Sequence, residues 1–149
     1  LLRHDFTTDI GYWLHMCAHR LESMMNAELS EVGISYRQFQ ILAWLALKGD
    51  LSQAELARCS GVEPSTIVSV VDRMQRDGLI ERKTCEEDRR KYRIVPTPAA
   101  EDVWKRVLQC KDRVKKCATD GMSKTELDGL RDQLMLIHER LEKHQNASK

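Results

Sequence analysis

A mainly α-helical chain with one small β-hairpin is the fold class the sequence predicts, and three observations predict it. Ser-x-x-Glu or Ser-x-x-Gln boxes begin at Ser35, Ser52 and Ser123, and in each the two side chains can satisfy two orphan helix N–H groups reciprocally. Apolar residues recur at intervals of three and four near both ends of the chain, the rhythm of a helix face. Between 79 and 95 that rhythm gives way to two partly alternating runs around a polar tip, the pattern of a hairpin. Together they predict a winged helix-turn-helix over 52–95, flanked by long helices at both ends.

From Thr8 to Glu31, Ile10, Leu14, Cys17, Leu21, Met24, Met25 and Leu29 predict one long amphipathic helix that Gly33 ends. After the Ser35 box, Phe39 and Ile41 to Leu47 make a helix apolar nearly all round, expected to be buried at the centre of the subunit. Lys48-Gly49-Asp50 is the loop onward, and Leu51 is placed as a short strand completing the wing sheet. The Ser52 box opens the first helix of the motif, and Gly61 supplies the sharp turn, at no steric cost in a left-handed backbone. Pro64 suits the first position of the second helix, and Gly78 its left-handed end. In that helix Ile67, Val70, Val71 and Met74 face inward by spacing, leaving Ser65, Thr66, Val68, Ser69, Asp72, Arg73 and Gln75 for a partner.

The runs 79–84 and 90–95 form the wing around Glu86-Glu87-Asp88-Arg89. A small-polar helix face beside an arginine-bearing wing suits double-stranded DNA: a helix fits the major groove, and Arg the electronegative minor groove. The net charge of +1 does not announce a nucleic-acid binder. The expectation is therefore a local field around the wing, from Arg82, Lys83, Arg89, Arg90, Lys91 and Arg93. After Thr97-Pro98, one stripe carries Val103, Val107, Cys110, Val114 and Cys117, and another Leu127, Leu130, Leu134, Ile137 and Leu141. Such heptad-like stripes call for a partner helix, and a homodimer built from the first, fifth and sixth helices is expected. Packing within the subunit is the plainer alternative.

At these residues the chain resembles the MarR family of bacterial winged-helix regulators over nearly all its length. The resemblance is carried by Asp88-Arg89-Arg90, by Gly78-Leu79-Ile80-Glu81-Arg82 before it and by Pro96-Thr97-Pro98-Ala99-Ala100 after it. The stretch from Arg82 to Arg90 looks particularly like the SlyA branch. The resemblance implies that Asp88 orients Arg73 and that Arg90 reads the minor groove, with Arg89 beside it. It also implies a dimeric regulator in which 35–96 binds DNA and 1–34 and 97–149 dimerise. Ser65, Thr66 and Ser69 are then the major-groove candidates. Position 69 is often basic in the family; a serine cannot make arginine's bidentate contact to guanine, so a different operator is expected. Two-fold symmetry would match a pseudo-palindrome with half-sites roughly 10 base pairs apart.

The same family implies a small aromatic or anionic effector between the dimerisation helices and the DNA unit. Tyr12, Trp13, His15, His19 and Arg20 could line that cleft, or simply pack an interface. Of the five cysteines, Cys17 and Cys85 are the redox candidates, and Cys17, Cys110 and Cys117 on helix stripes also read as small hydrophobes. The peroxide-sensing branch keeps its reactive cysteine at the place Gly11 holds here, which argues against that mechanism. His15 and His19 lie one turn apart with Glu22 close by, but CxxC and HExxH motifs are absent, and no metal or cofactor is expected. Glycine loops for phosphate, a nucleophile elbow and a compact acid/base set are missing too, so an enzyme is not expected. A helical protein-interaction module would keep the stripes but give no reason for Arg90. No apolar run is long enough for a bilayer and the start lacks a signal-peptide core, so a cytoplasmic, nucleoid-associated protein is expected. Leu1 is not an initiator Met, which leaves room for residues upstream.

Overall fold

The computed structural model describes residues 5–84 and 92–147, in two compact units, Leu1–Val114 and Lys115–Lys149. In the first, a short 3-10 helix at Phe6–Thr8 leads into α1 (Ile10–Ser30), which the Asp9 side chain caps by accepting from the Tyr12 N–H at 3.0 Å. There follow α2 (Tyr36–Lys48), α3 (Gln53–Ser60), α4 (Pro64–Arg76), β1 (Ile80–Thr84), β2 (Tyr92–Pro96) and α5 (Pro98–Ala118), whose last turn, from Lys115, belongs to the second unit. The second unit holds α6 (Lys124–Ala147).

All three serine boxes form. Ser35 with Gln38, Ser52 with Glu55 and Ser123 with Glu126 each close both reciprocal bonds. Gln38 is also the buried polar residue of the core, and its amide reaches the Asp77 carboxylate at 3.5 Å, so the start of α2 meets the end of α4. Gly78, at φ +72°, ends α4 as predicted. Its N–H donates to the Gln75 carbonyl at 3.1 Å and that of Leu79 to Met74 at 2.9 Å, so two terminal carbonyls are satisfied before the chain enters β1.

The strands are antiparallel, Ile80 opposite Pro96 and Thr84 opposite Tyr92. Leu51 bridges to Ile94, whose N–H donates to the Leu51 carbonyl at 2.7 Å, as the short third strand was expected to do. Thr97 closes the base of the hairpin, its hydroxyl donating to the Gly78 carbonyl at 2.6 Å. Leu29, Ile41, Leu56, Val71, Met74, Ile80, Ile94, Val107 and Cys110 form the fully buried centre of this unit.

Two expectations are corrected. Leu47 is 72% exposed, although α2 reads as apolar nearly all round. Ile41, Leu42 and Leu45 already define its buried face, and two further residues rotate a side chain about 200° away. On α5, Val107, Cys110 and Val114 do not wait for a partner helix: they are buried in their own unit. Arg113 seals that contact by donating to Glu28 of α1 at 2.6 Å, and Arg106 donates to the Glu31 carbonyl at 2.7 Å. On α6, by contrast, Leu130, Leu134, Met135 and Leu141 are exposed, and a groove of about 540 Å³ runs along Leu127, Leu130, Leu134, Met135 and His138. No helix among the described residues is long and apolar enough to cross a membrane.

The Ser52 box carries a pH signature. Glu55 is held below its ordinary pKa of 4.5, first by the Ser52 backbone N–H, then by the Ser52 hydroxyl, with Arg93 and Arg58 adding attraction. A carboxylate lowered by folding stabilises the fold fully above its unfolded pKa and loses that contribution as the pH falls through the folded value. Denaturation of wild type and Glu55→Gln from pH 7 to pH 3 should therefore show a gap between the two that closes on acidification. Ser52→Ala should cost about 1 kcal/mol at neutral pH.

Candidate nucleic-acid interface

The turn between α3 and α4 is set by Gly61, at φ +63°, and by the nearly buried Ala57, small enough for α4 to approach. Pro64 then starts α4 at a position where its missing N–H costs nothing. Ile67, Val71 and Met74 point into the core, Val70 is half-buried, and Ser65, Thr66, Val68, Ser69, Asp72, Arg73 and Gln75 are all exposed. The structure thus brings the major-groove candidates Ser65, Thr66 and Ser69 together with Arg73 on one helix face. The Ser69 hydroxyl donates to the Ser65 carbonyl at 3.1 Å. Its hydrogen is committed, so its oxygen can still accept but the group is no longer a free donor.

The wing is tied to both helices of the motif by arginines. From β1, Arg82 donates to Asp72 and to Gln75 of α4. From β2, Arg93 donates to Glu55 of α3 at 2.7 Å and to the Asp50 carbonyl at 3.4 Å. One Glu55 oxygen therefore accepts from the Ser52 N–H, the Ser52 hydroxyl and Arg93 together. This alters the expected electrostatics. Arg82, Lys83 and Arg93 were counted towards a positive field, yet each faces an acid, Lys83 pairing with Glu81 at 3.0 Å. Sequence reasoning missed Arg82 as a positioning residue. The signal available was strand alternation, which puts Arg82 on the same face as the buried Ile80 and so towards α4. Arg89, Arg90, Lys91, Cys85 and Asp88, with its expected contact to Arg73, lie outside the described residues.

Beside this face, a groove of about 500 Å³ runs between α3 and the start of α4, lined by Gln53, Ala54, Ala57, Arg58, Pro64 and Val68 among others. A smaller apolar cavity of about 130 Å³ lies among Leu42, Leu45, Pro96, Ala100 and Trp104. The effector candidates are elsewhere: Tyr12, Trp13, His15, His19 and Arg20 are exposed along α1 and line neither cavity. Trp13 donates its ring N–H to the Thr7 carbonyl at 2.8 Å and meets Tyr12 edge-on at 5.3 Å, while the His15 and His19 rings lie parallel at 6.4 Å. Cys17 and Cys117 are exposed, Cys110 is buried, and Cys59 is half-buried with its sulfur 3.5 Å from Lys48 Nζ. No group of three or more potential metal ligands occurs among the described residues.

Residues 32–91 match the sequence model of the MarR family. Solved structures share the fold. A MarR-family transcriptional regulator from Rhodococcus sp. RHA1 is 24% identical, with a TM-score of 0.81 over 91% of this chain and 96% of that one. CouR from Rhodococcus jostii RHA1, solved with p-coumaroyl-CoA, is also 24% identical, with a TM-score of 0.78 over 91% and 95%. BpsR of Bordetella bronchiseptica, whose DNA binding is regulated by 6-hydroxynicotinic acid, is 17% identical, with a TM-score of 0.78 over 92% and 98%. Six helices with a two-stranded antiparallel hairpin match the MarR winged-helix fold.

If Arg82 holds β1 against α4, Arg82→Ala and Asp72→Ala should be non-additive. Urea denaturation of both single variants and the double variant should give a coupling of about 0.2–1 kcal/mol, the range of partly exposed ion pairs. Strict additivity would mean the contact contributes nothing.

Proposed function

The chain carries a MarR family segment at residues 32–91 within a MarR winged-helix fold, and on that premise we propose that it is a homodimeric, sequence-specific double-stranded DNA-binding transcription regulator. Members of that family are transcription regulators, not enzymes. The observation that carries the reading is the exposed, mostly uncharged polar face of α4, backed by buried Ile67, Val71 and Met74 and braced from the wing through Arg82. A braced helix of that character fits the major groove, where Ser65, Thr66 and Ser69 meet base edges and Arg73 supports them. Arg90, with Arg89 beside it, reads the minor groove, and Asp88 orients Arg73 from the wing.

Dimerisation has its support in surfaces left open. Leu130, Leu134 and Leu141 on α6 and Ile10, Trp13 and Leu21 on α1 are exposed, and a second copy would cover them. A two-fold dimer reads a pseudo-palindromic operator and, bound across a promoter in the bacterial cytoplasm, represses it. A SlyA-like placement within the family rests on wing residues outside the described ones. The ligands of CouR and BpsR both carry an aromatic group, and both are anionic at neutral pH. They favour a small aromatic or anionic effector, met by Tyr12, Trp13, His15, His19 and Arg20. Such a ligand acts by binding better to one spacing of the two recognition helices than to another. A second reading, control by oxidation of Cys17, has the exposure of that thiol on α1 in its favour.

Selection from randomised double-stranded DNA at two salt concentrations tests the reading, because phosphate contacts alone give salt-sensitive binding without a motif. A palindrome with half-sites roughly 10 base pairs apart is expected. Arg90→Ala should then lose about tenfold or more in operator affinity while staying folded and dimeric, consistent with ~1–3 kcal/mol for a specific contact. Binding without an enriched motif would sink the sequence-specific reading and leave an architectural DNA-binding protein, and no binding at all would leave a helical interaction module.

A further inference from the structure

Val68 is 43% exposed on a helix face otherwise made of Ser65, Thr66, Ser69, Asp72 and Arg73. A single exposed valine needs no explanation. This one lines the groove between α3 and α4, where Ala54, Ala57, Val62 and Pro64 supply further apolar surface and Gln53, Arg58 and Glu63 polar groups. Val68 also shares a side of α4 with Ser65 and Asp72, at the helical intervals of three and four. The groove therefore adjoins the proposed base-reading face.

We infer that this groove receives the C5-methyl group of a thymine in duplex DNA and that Val68 is a specificity-determining residue, an inference that rests on the DNA-reading function proposed above. Thymine is the base whose major-groove edge carries a methyl group; the other edges offer donors and acceptors. An apolar wall gains by burying a methyl and loses by stripping water from an amino group or carbonyl without replacing its bond. On the adjoining face the Ser69 hydroxyl, which donates to the Ser65 carbonyl at 3.1 Å, has an oxygen able to accept, and the adenine opposite thymine presents its N6 amine in the major groove. Arg58, exposed on α3 and lining the groove, supplies the charge that a flanking phosphate requires.

The test uses the operator recovered by selection. Each thymine is replaced singly by deoxyuridine, which lacks only the methyl group, and affinities are measured for wild type and Val68→Ala, with circular dichroism to confirm that the variant is folded. One thymine in each half-site is expected whose loss of methyl weakens wild-type binding about fourfold, the effect of one buried methyl-sized group. The same replacement should cost Val68→Ala nothing further. If no thymine is sensitive, or if wild type and Val68→Ala lose equally, the methyl subsite is overturned while the DNA-reading function stands. If selection yields no motif, both fall together.

Discussion

The helix-turn-helix core is the constraint on which the rest of the first unit depends. Leu56 from α3, Val71 and Met74 from α4, Ile80 from β1 and Ile94 from β2 are all at least 98% buried in one cluster. Burying each such side chain contributes roughly 1.5–3 kcal/mol, whereas a partly exposed ion pair contributes about 0–1 kcal/mol. The apolar cluster therefore decides that the two helices and the hairpin come together. The arginine contacts act afterwards: Arg82 to Asp72 and Gln75, and Arg93 to Glu55, hold each strand to one helix of the motif.

What the core leaves outside is the face proposed to read DNA. With Ile67, Val71 and Met74 turned inward, α4 presents hydroxyls, one isopropyl group, Asp72 and Arg73. Three wing cations are already matched with Asp72, Glu81 and Glu55, so they add little to a long-range field. In a protein of net charge +1 built in this way, the proposed reading of DNA rests more on shape and short-range polar contacts than on electrostatic steering.

Reading one hydrophobic rhythm gave two different outcomes. On α5, Val107, Cys110 and Val114 are covered by their own unit, with Arg113 and Arg106 bound to α1 across the contact. On α6, the leucines of the same spacing stay exposed. A helix period reports that a face is apolar, not what lies against it. Polar residues behave likewise: Ser52 with Glu55 could be paired from three-residue spacing, but Glu55 with Arg93, 38 residues apart, could not.

The amino-acid sequence by itself determined the order of the elements, the starts and turns of the helices and the inward face of α4, because caps, turns and periodicity are interactions among residues a few positions apart. Ser35, Ser52 and Ser123 start helices, Gly61 and Gly78 turn the chain, and Ile67, Val71 and Met74 mark the buried side of α4. Only the tertiary structure decided that Arg82 is bound to Asp72 and Gln75 of α4, that Val107, Cys110 and Val114 of the α5 stripe are buried within their own unit, and that Val68 borders a groove. Each of these depends on which distant side chains the core brings within a few ångströms, and local spacing along the chain does not encode that.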